Sequence, residues 1–284
     1  MVSCVPGGRA RSALAGSPGD RFADVRWVAE TGSTNADVME LARQGEREGI
    51  VLVADHQTAG RGRADRTWTA PPGAGLLLSI LLRPPAAVVD LTTMAVAEAA
   101  AAAVESVAGF SPRLTWPNDL VWPGDGSAPD RKLAGILAEA DWPATAAISG
   151  GWKPPAEGER AVVIVGIGLN VTWPAAPPDD LADVAVAINH ITSTLVDRED
   201  LLIALLSELG PRYSSLVAGE RSGVLGEWRA RSATLGRRVR VDLGGDDVEG
   251  TAVDITDEGH LVIETVEGDR RTFAVGDVVH LRPR

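Results

Sequence analysis

Cysteine is almost missing from this sequence: Cys4 stands alone among 284 residues. No intrachain disulfide can form and no multi-cysteine metal site can assemble, which points to a reducing compartment, the cytoplasm. Histidine is nearly as scarce, and His56, His190, His260 and His280 have neither metal-ligand spacing nor an evident triad arrangement. Positive charge is in deficit. The formal net charge of −12 argues against a protein that holds nucleic acid by general attraction, so no DNA is expected as a partner. Long hydrophobic runs are missing as well. The most apolar long stretch, 94–104, is interrupted by Glu98 and too short to span a bilayer, and the N-terminus carries Arg9 and Arg11 without an apolar signal segment. Neither a membrane nor an export role is signalled. The most specific shortage is lysine: of 27 basic residues only Lys132 and Lys153 are lysines. Where guanidinium is the default cation, each compact ammonium invites a reason.

What is present is a composition ordinary for a globular protein, in a chain long enough for one large domain and a small one. Residues 1–21 are rich in Gly, Ser, Pro and Arg without periodicity and predict a disordered tail. Compact apolar runs predict strands over 25–29, 50–54, 76–82, 133–138 and 161–169. Ser33 is placed to cap a helix over 34–43, and 201–216 has the spacing of an amphipathic helix. The Ala-rich stretch 88–107 is apolar around most of its circumference, which predicts a helix buried against the sheet. From about Gly223 the texture changes to short β-like runs between Gly/Asp turns, predicting a small all-β barrel. The expected division is therefore a tail over 1–21, a mixed α/β domain over 22–222 and a barrel over 223–284.

The long connection 54–75 joins two strands and contains Gly60-Arg61-Gly62-Arg63, then Arg66 and Trp68. Glycines let backbone approach a ligand closely, and guanidinium forks match carboxylate and phosphate, so the combination suits a small anion; a solvated basic loop is the plainer reading. Because arginines repel and glycines are loose, the loop over 58–68 is expected to be mobile until a ligand binds. Lys132, at the mouth of a strand, offers a point charge to a carbonyl and a phosphate oxygen, or is a strand-end charge in water. Trp116-Pro117-Asn118-Asp119 puts an amide and a carboxylate on a turn. Gly166-Ile167-Gly168-Leu169-Asn170 ends a strand without the following helix that a dinucleotide fingerprint requires. Ser33-Thr34-Asn35 is both a helix cap and a polar cluster.

Each signal alone is weak, but their order is specific. Ser33-Thr34-Asn35, Gln57 with Gly60-Arg61-Gly62-Arg63 through Trp68, Trp116 to Asp119, Arg131-Lys132-Leu133-Ala134-Gly135, and Gly166 to Asn170 together strongly resemble the biotin protein ligase family, from about residue 25 to the C-terminus. The resemblance implies an α/β (α+β) fold, a mixed-sheet catalytic domain like the class II synthetases followed by a small SH3-like β barrel. It implies activation of biotin by ATP to biotinyl-5′-adenylate, then transfer to one lysine of a biotin carboxyl carrier protein, with Mg2+ and a weak or ligand-linked homodimer as further partners. Position by position, Ser33, Thr34, Asn35, Gln57, Gly60, Arg61, Gly62, Arg63, Lys132, Gly135, Gly166 and Gly168 would serve biotin. Arg63, Arg66, Trp68, Asn118, Lys132 and Asn170 would serve ATP and the adenylate, Lys132 and Arg63 would be catalytic, and Asp119 would stand near magnesium. The chain departs from the pattern at Thr115, where many members carry lysine. Two other readings stay open: a lipoate- or octanoyl-transferring relative, and a non-catalytic binding protein.

Overall fold

The computed structural model describes residues 6–124, 129–141, 160–174, 181–242, 247–274 and 277–280. Cys4, Lys153 and the connection expected over 142–160, save Arg160, lie outside these residues. Strands β1 (Val25–Thr31), β2 (Val51–Gln57), β3 (Gly75–Leu82), β4 (Arg113–Thr115), β5 (Asp119–Trp122), β6 (Arg131–Asp141) and β7 (Val162–Asn170) form one mixed sheet in the order β1-β2-β3-β7-β6-β5-β4. Only β1 and β2 run parallel; every other neighbouring pair is antiparallel.

Side chains on a strand alternate between faces, so each face of this sheet has its own composition. On β7, Val163, Val165, Ile167 and Leu169 enter the main core, which helices α3 (Val89–Ala108) and α4 (Arg198–Val217) cover. Ile164 points the other way and packs with Val38 and Ala42 of helix α2 (Thr34–Arg43). Gly166, Gly168 and Asn170 continue that second face, Gly166 beneath Asn35 in the first turn of α2 and the other two beyond it. All eight residues of β3 are buried, as expected of a strand covered on both sides.

Three expectations are corrected. The N-terminal segment is folded from residue 6 onward: helix α1 (Gly8–Leu14) buries Ala10 and Leu14, one turn apart on one face. Arg9 reaches the carboxylates of Asp197, Glu199 and Asp200 at 2.6–3.2 Å, and Phe22 packs 6.2 Å from the Tyr213 ring. These partners lie nearly 200 positions away, so local composition did not show them. Second, the segment after Gly223 does not start with strands. Helix α5 (Ser222–Arg231) buries Val224, Leu225 and Trp228 against α3 and α4. Third, 86–108 is long and apolar enough to cross a bilayer, alone in this among the described residues, and is mostly buried within the protein. Glu98, which interrupts the apolar stretch, is itself fully buried.

Strands β8 (Arg238–Asp242), β9 (Val248–Ile255), β10 (Leu261–Glu264), β11 (Arg270–Phe273) and β12 (Asp277–His280) make a second antiparallel sheet in the order β11-β10-β9-β8-β12. It is tied to the first by Ala233 N–H donating to Leu114 O at 2.7 Å and Trp116 Nε1 donating to Gly259 O at 3.0 Å. Gly259 has φ +82°, and a Cβ there would stand 2.9 Å from Met94 Cε. Glycine both permits the turn and lets it seat against α3.

Candidate functional site

Cross-strand register lines up small residues on the sheet face that α2 leaves open. Ser79, Gly166 and Leu137 are neighbours in one row across β3, β7 and β6, and Leu77, Gly168 and Gly135 in the next, with Asp119 of β5 beside Gly135. The result is a low floor under a cavity of about 900 Å³ lined by nearly all the residues that the sequence singles out. The glycines are required by what stands over them. A Cβ on Gly166 would lie 2.2 Å from Asn35 Oδ1, and one on Gly168 2.4 Å from the Trp68 ring.

At one end of the floor is the first turn of α2. Ser33 is its N-cap by backbone geometry but makes no side-chain capping bond. Gln57 does this instead: its Oε1 accepts from Thr34 N at 2.7 Å and from Thr34 Oγ1 at 3.0 Å, satisfying a helix donor that would otherwise be orphaned. Ser79, fully buried in an otherwise apolar strand, donates toward Thr34 Oγ1 at 2.7 Å and Asn35 Oδ1 at 2.5 Å. Gln57, Thr34, Ser79 and Asn35 therefore form one hydrogen-bonded polar wall, with Ser33 beside it; Ser33, Thr34, Asn35 and Ser79 are deeply buried. The sequence missed Ser79; a lone hydroxyl among leucines was the available signal.

Above the floor sits the arginine loop, and here too an expectation changes. The stretch 60–68 is a short hairpin: Trp68 N donates to Gly60 O, Gly62 N to Arg66 O, and Arg61 bridges Thr67. Its tip, Ala64 and Asp65, takes positive φ. Arg61 Nη2 meets Glu139 Oε2 at 2.8 Å, and Arg63 Nη1 donates to Asn118 Oδ1 at 3.2 Å. Backbone bonds and two side-chain partners thus hold the segment expected to have little to hold it. Gly60 does not line the cavity. It is a stem residue whose Cβ would stand 2.4 Å from Trp68 O.

Lys132 reaches the cavity because of a bulge. Leu120 pairs with Ala134 but Val121 pairs with Lys132, so Leu133 is an extra residue and it and Ala134 both enter the core. Alternation is reset by one, and Lys132 emerges on the side of Gly135. Its Nζ lies 2.8 Å from Asp119 Oδ1 and 5.7 Å from the Trp68 ring centroid, within cation–π range. Asn118 Nδ2 donates to Ile136 O, which fixes its Oδ1 toward Arg63. Asn170 is nearly fully buried and donates to Val186 O at 3.1 Å, holding against Lys132 the segment from Val184 to Val186. That segment, with Trp173 and Leu181, makes an apolar end wall to which the second sheet adds Asp242 and Val278. Sequence reading missed this wall. Thr115 also lines the cavity, its buried hydroxyl without a hydrogen-bond partner.

Among the described residues no group of three or more His, Cys, Asp or Glu is placed to hold a metal. A single carboxylate, Asp119, fits magnesium of the kind carried mainly by nucleotide phosphates and water rather than by a protein cage.

The arrangement has known counterparts. Residues 28–146 match the model of the Biotin/lipoate A/B protein ligase family, and residues 234–281 match that of the Biotin protein ligase C terminal domain. The chain is 38% identical over 261 residues to the biotin--[acetyl-CoA-carboxylase] ligase of Mycobacterium tuberculosis, covering 90% of this chain and 88% of that one. The chain belongs to the biotin protein ligase family. A Paracoccus denitrificans protein of the same name is 31% identical, with 85% of this chain and 94% of that one covered. Among solved structures, the biotin protein ligase of Aquifex aeolicus in complex with biotin and ATP superposes with a TM-score of 0.73 at 25% identity, covering 92% of this chain and 99% of that one. The expected biotin-ligase fold, a mixed-sheet catalytic domain followed by a small antiparallel sheet, is thus observed.

Proposed function

We propose that the cavity activates biotin with ATP and passes it to a carrier protein, as a biotin--[acetyl-CoA-carboxylase] ligase. The single observation that carries this reading is the glycine floor with Lys132 at its centre and the arginine hairpin above it. A carboxylate and a triphosphate repel each other in water. Here one ammonium and the guanidinium groups of Arg61, Arg63 and Arg66 surround the place where they must meet.

The polar wall of Thr34, Asn35 and Gln57, with Ser33 beside it, receives the ureido head of biotin, whose N–H and C=O groups match its donors and acceptors. The valeryl carboxylate then lies along Gly166, Gly168 and Gly135 toward Lys132, in the space that the Trp68 ring takes over Gly168 and Gly135, so the ring moves aside as biotin enters. Trp68, Asn118 and Asn170 take the nucleotide side, and the apolar wall at Trp173 and Leu181 offers a surface for the base. In the first step a carboxylate oxygen attacks the α-phosphorus, an O–P bond forms, the bond to the β-phosphate bridge breaks and pyrophosphate leaves. Lys132 and Arg63 stabilise the charge that builds on the α-phosphate oxygens. Asp119, paired with Lys132 at 2.8 Å, would be the carboxylate to face a phosphate-borne Mg2+, which would supply further neutralisation of the triphosphate. In the second step the neutral amine of an acceptor lysine attacks the acyl carbon, the mixed anhydride opens, and AMP leaves. Holding reactants in register and keeping water from the anhydride are the protein's other contributions.

The acceptor in this reading is the biotin carboxyl carrier protein or domain of an acyl-CoA carboxylase. The reaction is placed in the cytoplasm, with the lone cysteine in support. The site assignments, the division near residue 222 and a weak or ligand-linked homodimer belong to the same proposal. The test is incubation of the chain with biotin, ATP, Mg2+ and a purified carrier domain, followed by intact-mass measurement. A single biotin increment on the carrier lysine, lost when that lysine is changed to arginine, is the expected result; an increment with lipoate but not biotin would transfer the chain to the lipoate branch.

A further inference from the structure

Glu139 belongs to none of the motifs, yet it ties two of them together. It sits on β6 two residues beyond Leu137 and four beyond Gly135, so alternation gives it the same face as the floor. Its cross-strand neighbour on β7 is Ile164, which packs in the α2 layer. One oxygen, Oε2, accepts from Asn35 Nδ2 at 2.7 Å and from Arg61 Nη2 at 2.8 Å. Asn35 is 4% exposed, and its amide position is fixed by Ser79 on the oxygen side. Arg61 begins the hairpin, and its backbone bridges Thr67 at the hairpin's far strand. A second cavity of about 1210 Å³ lies on the other side of this hairpin, and Glu139 lines it. The carboxylate therefore stands where the polar wall, the hairpin and the floor converge.

We propose that Glu139 is a positioning residue of the adenylation reaction: one carboxylate oxygen shared by Asn35 and Arg61 couples occupation of the biotin end to placement of the arginine hairpin. This rests on the reading of the cavity as a biotin and ATP site. The shared oxygen makes the two donors interdependent, because a shift of Asn35 toward a ligand changes the acceptor to which Arg61 is bound. A hairpin set by biotin in this way presents Arg63 and Arg66 to the triphosphate already in position. By linkage, nucleotide must tighten biotin by the same factor as biotin tightens nucleotide. A purely structural role predicts something else. The pair is part-exposed, at 46% for Arg61 and 29% for Glu139, and ion pairs of that kind contribute little to stability. The effect of Glu139 belongs in the coupling between substrates rather than in the melting temperature.

The experiment is calorimetric titration of the full chain with biotin, alone and in the presence of saturating α,β-methylene ATP, for wild type and Glu139→Gln. The wild type should bind biotin about fivefold or more tightly with the analogue present, the lower range of measured couplings. Glu139→Gln should keep its affinity for biotin alone within about threefold and lose the enhancement, with the melting temperature nearly unchanged. Equal enhancement in wild type and variant overturns the proposal, as does a wild type that binds biotin with no enhancement. A wild type that binds neither ligand overturns the function proposed above and this coupling with it. Should the variant fail to fold, hydrogen exchange on the unmodified chain decides. Biotin alone should slow exchange over 60–68 as well as over 33–35, and unchanged exchange over 60–68 would refute the coupling.

Discussion

The two faces of the seven-stranded sheet are built from the same strands and share almost nothing in composition. Beneath α3 and α4, β7 presents Val163, Val165, Ile167 and Leu169; on the other side it presents Gly166, Gly168 and Asn170. The first face is filled with apolar volume and the second is kept low so that something else can lie on it. Even the polar groups differ in kind. On the open face hydroxyls, amides and carboxylates bond one another around the cavity. On the closed face Glu98 is fully buried with neither oxygen hydrogen-bonded, and Arg212 is no nearer than 3.9 Å. Burial, reinforced by nearby Glu227, pushes its carboxyl up to about 9. A period of two residues thus separates chemistry from stability within single strands.

Substitutions that act on one face only are the way to break this division. The largest effect is expected for Lys132→Ala, which should slow adenylate formation by about 10²–10³-fold, the usual loss for a group that stabilises developing charge. Its thermal unfolding should stay close to wild type because the side chain faces the cavity; a comparable loss of stability would merge the two faces. Leu205→Ala, in α4 and fully buried, should do the reverse, costing about 2–5 kcal/mol of stability in denaturant titration while the folded fraction keeps its KM values. Next is Gly168→Ala. The Trp68 ring can swing away from the new methyl, so folding should survive, but the floor rises and KM should increase about tenfold, about 1.4 kcal/mol. An unchanged KM would show that ligand does not lie on Gly168.

The smallest shift is expected for Glu98→Gln, read as a difference in pH dependence. Burial pushes the folded carboxyl up to about 9 from an ordinary 4.5, so between those values the folded state holds a proton that the unfolded state has released. Stability from this group falls as pH rises through that window and is fully lost above the folded value. The glutamine variant cannot titrate, so its melting temperature should decline less between pH 6 and 9 than that of the wild type. Parallel pH profiles would mean that Glu98 is ionised and compensated in the folded protein.

Much of the open face was legible in the sequence because its requirements are local. Gly166, Gly168 and Gly135 announce low floor positions, and the arginine cluster announces an anion. Partners remote in the chain were not legible. Gln57 capping α2, Ser79 under Asn35 and Glu139 beneath Arg61 each depend on strand register, which single segments do not reveal. The folding of the N-terminus was hidden for the same reason, since Arg9 finds its carboxylates at Asp197, Glu199 and Asp200. The hairpin bonds at 60–68 were not legible, because side-chain repulsion was visible in the sequence and the backbone bonds that oppose it were not. The helix at Ser222–Arg231 was passed over because its apolar residues are few and the Gly-rich strand texture around it dominates.

The central claim, that the open face joins biotin to a nucleotide, is tested most directly by biotin-dependent exchange of labelled pyrophosphate into ATP with the purified chain and Mg2+. This reads the first half-reaction without any acceptor protein. The account predicts exchange that requires biotin, is not supported by lipoate, and falls by about 10²–10³-fold in Lys132→Ala. A folded wild-type chain that binds both substrates yet exchanges no pyrophosphate would contradict it.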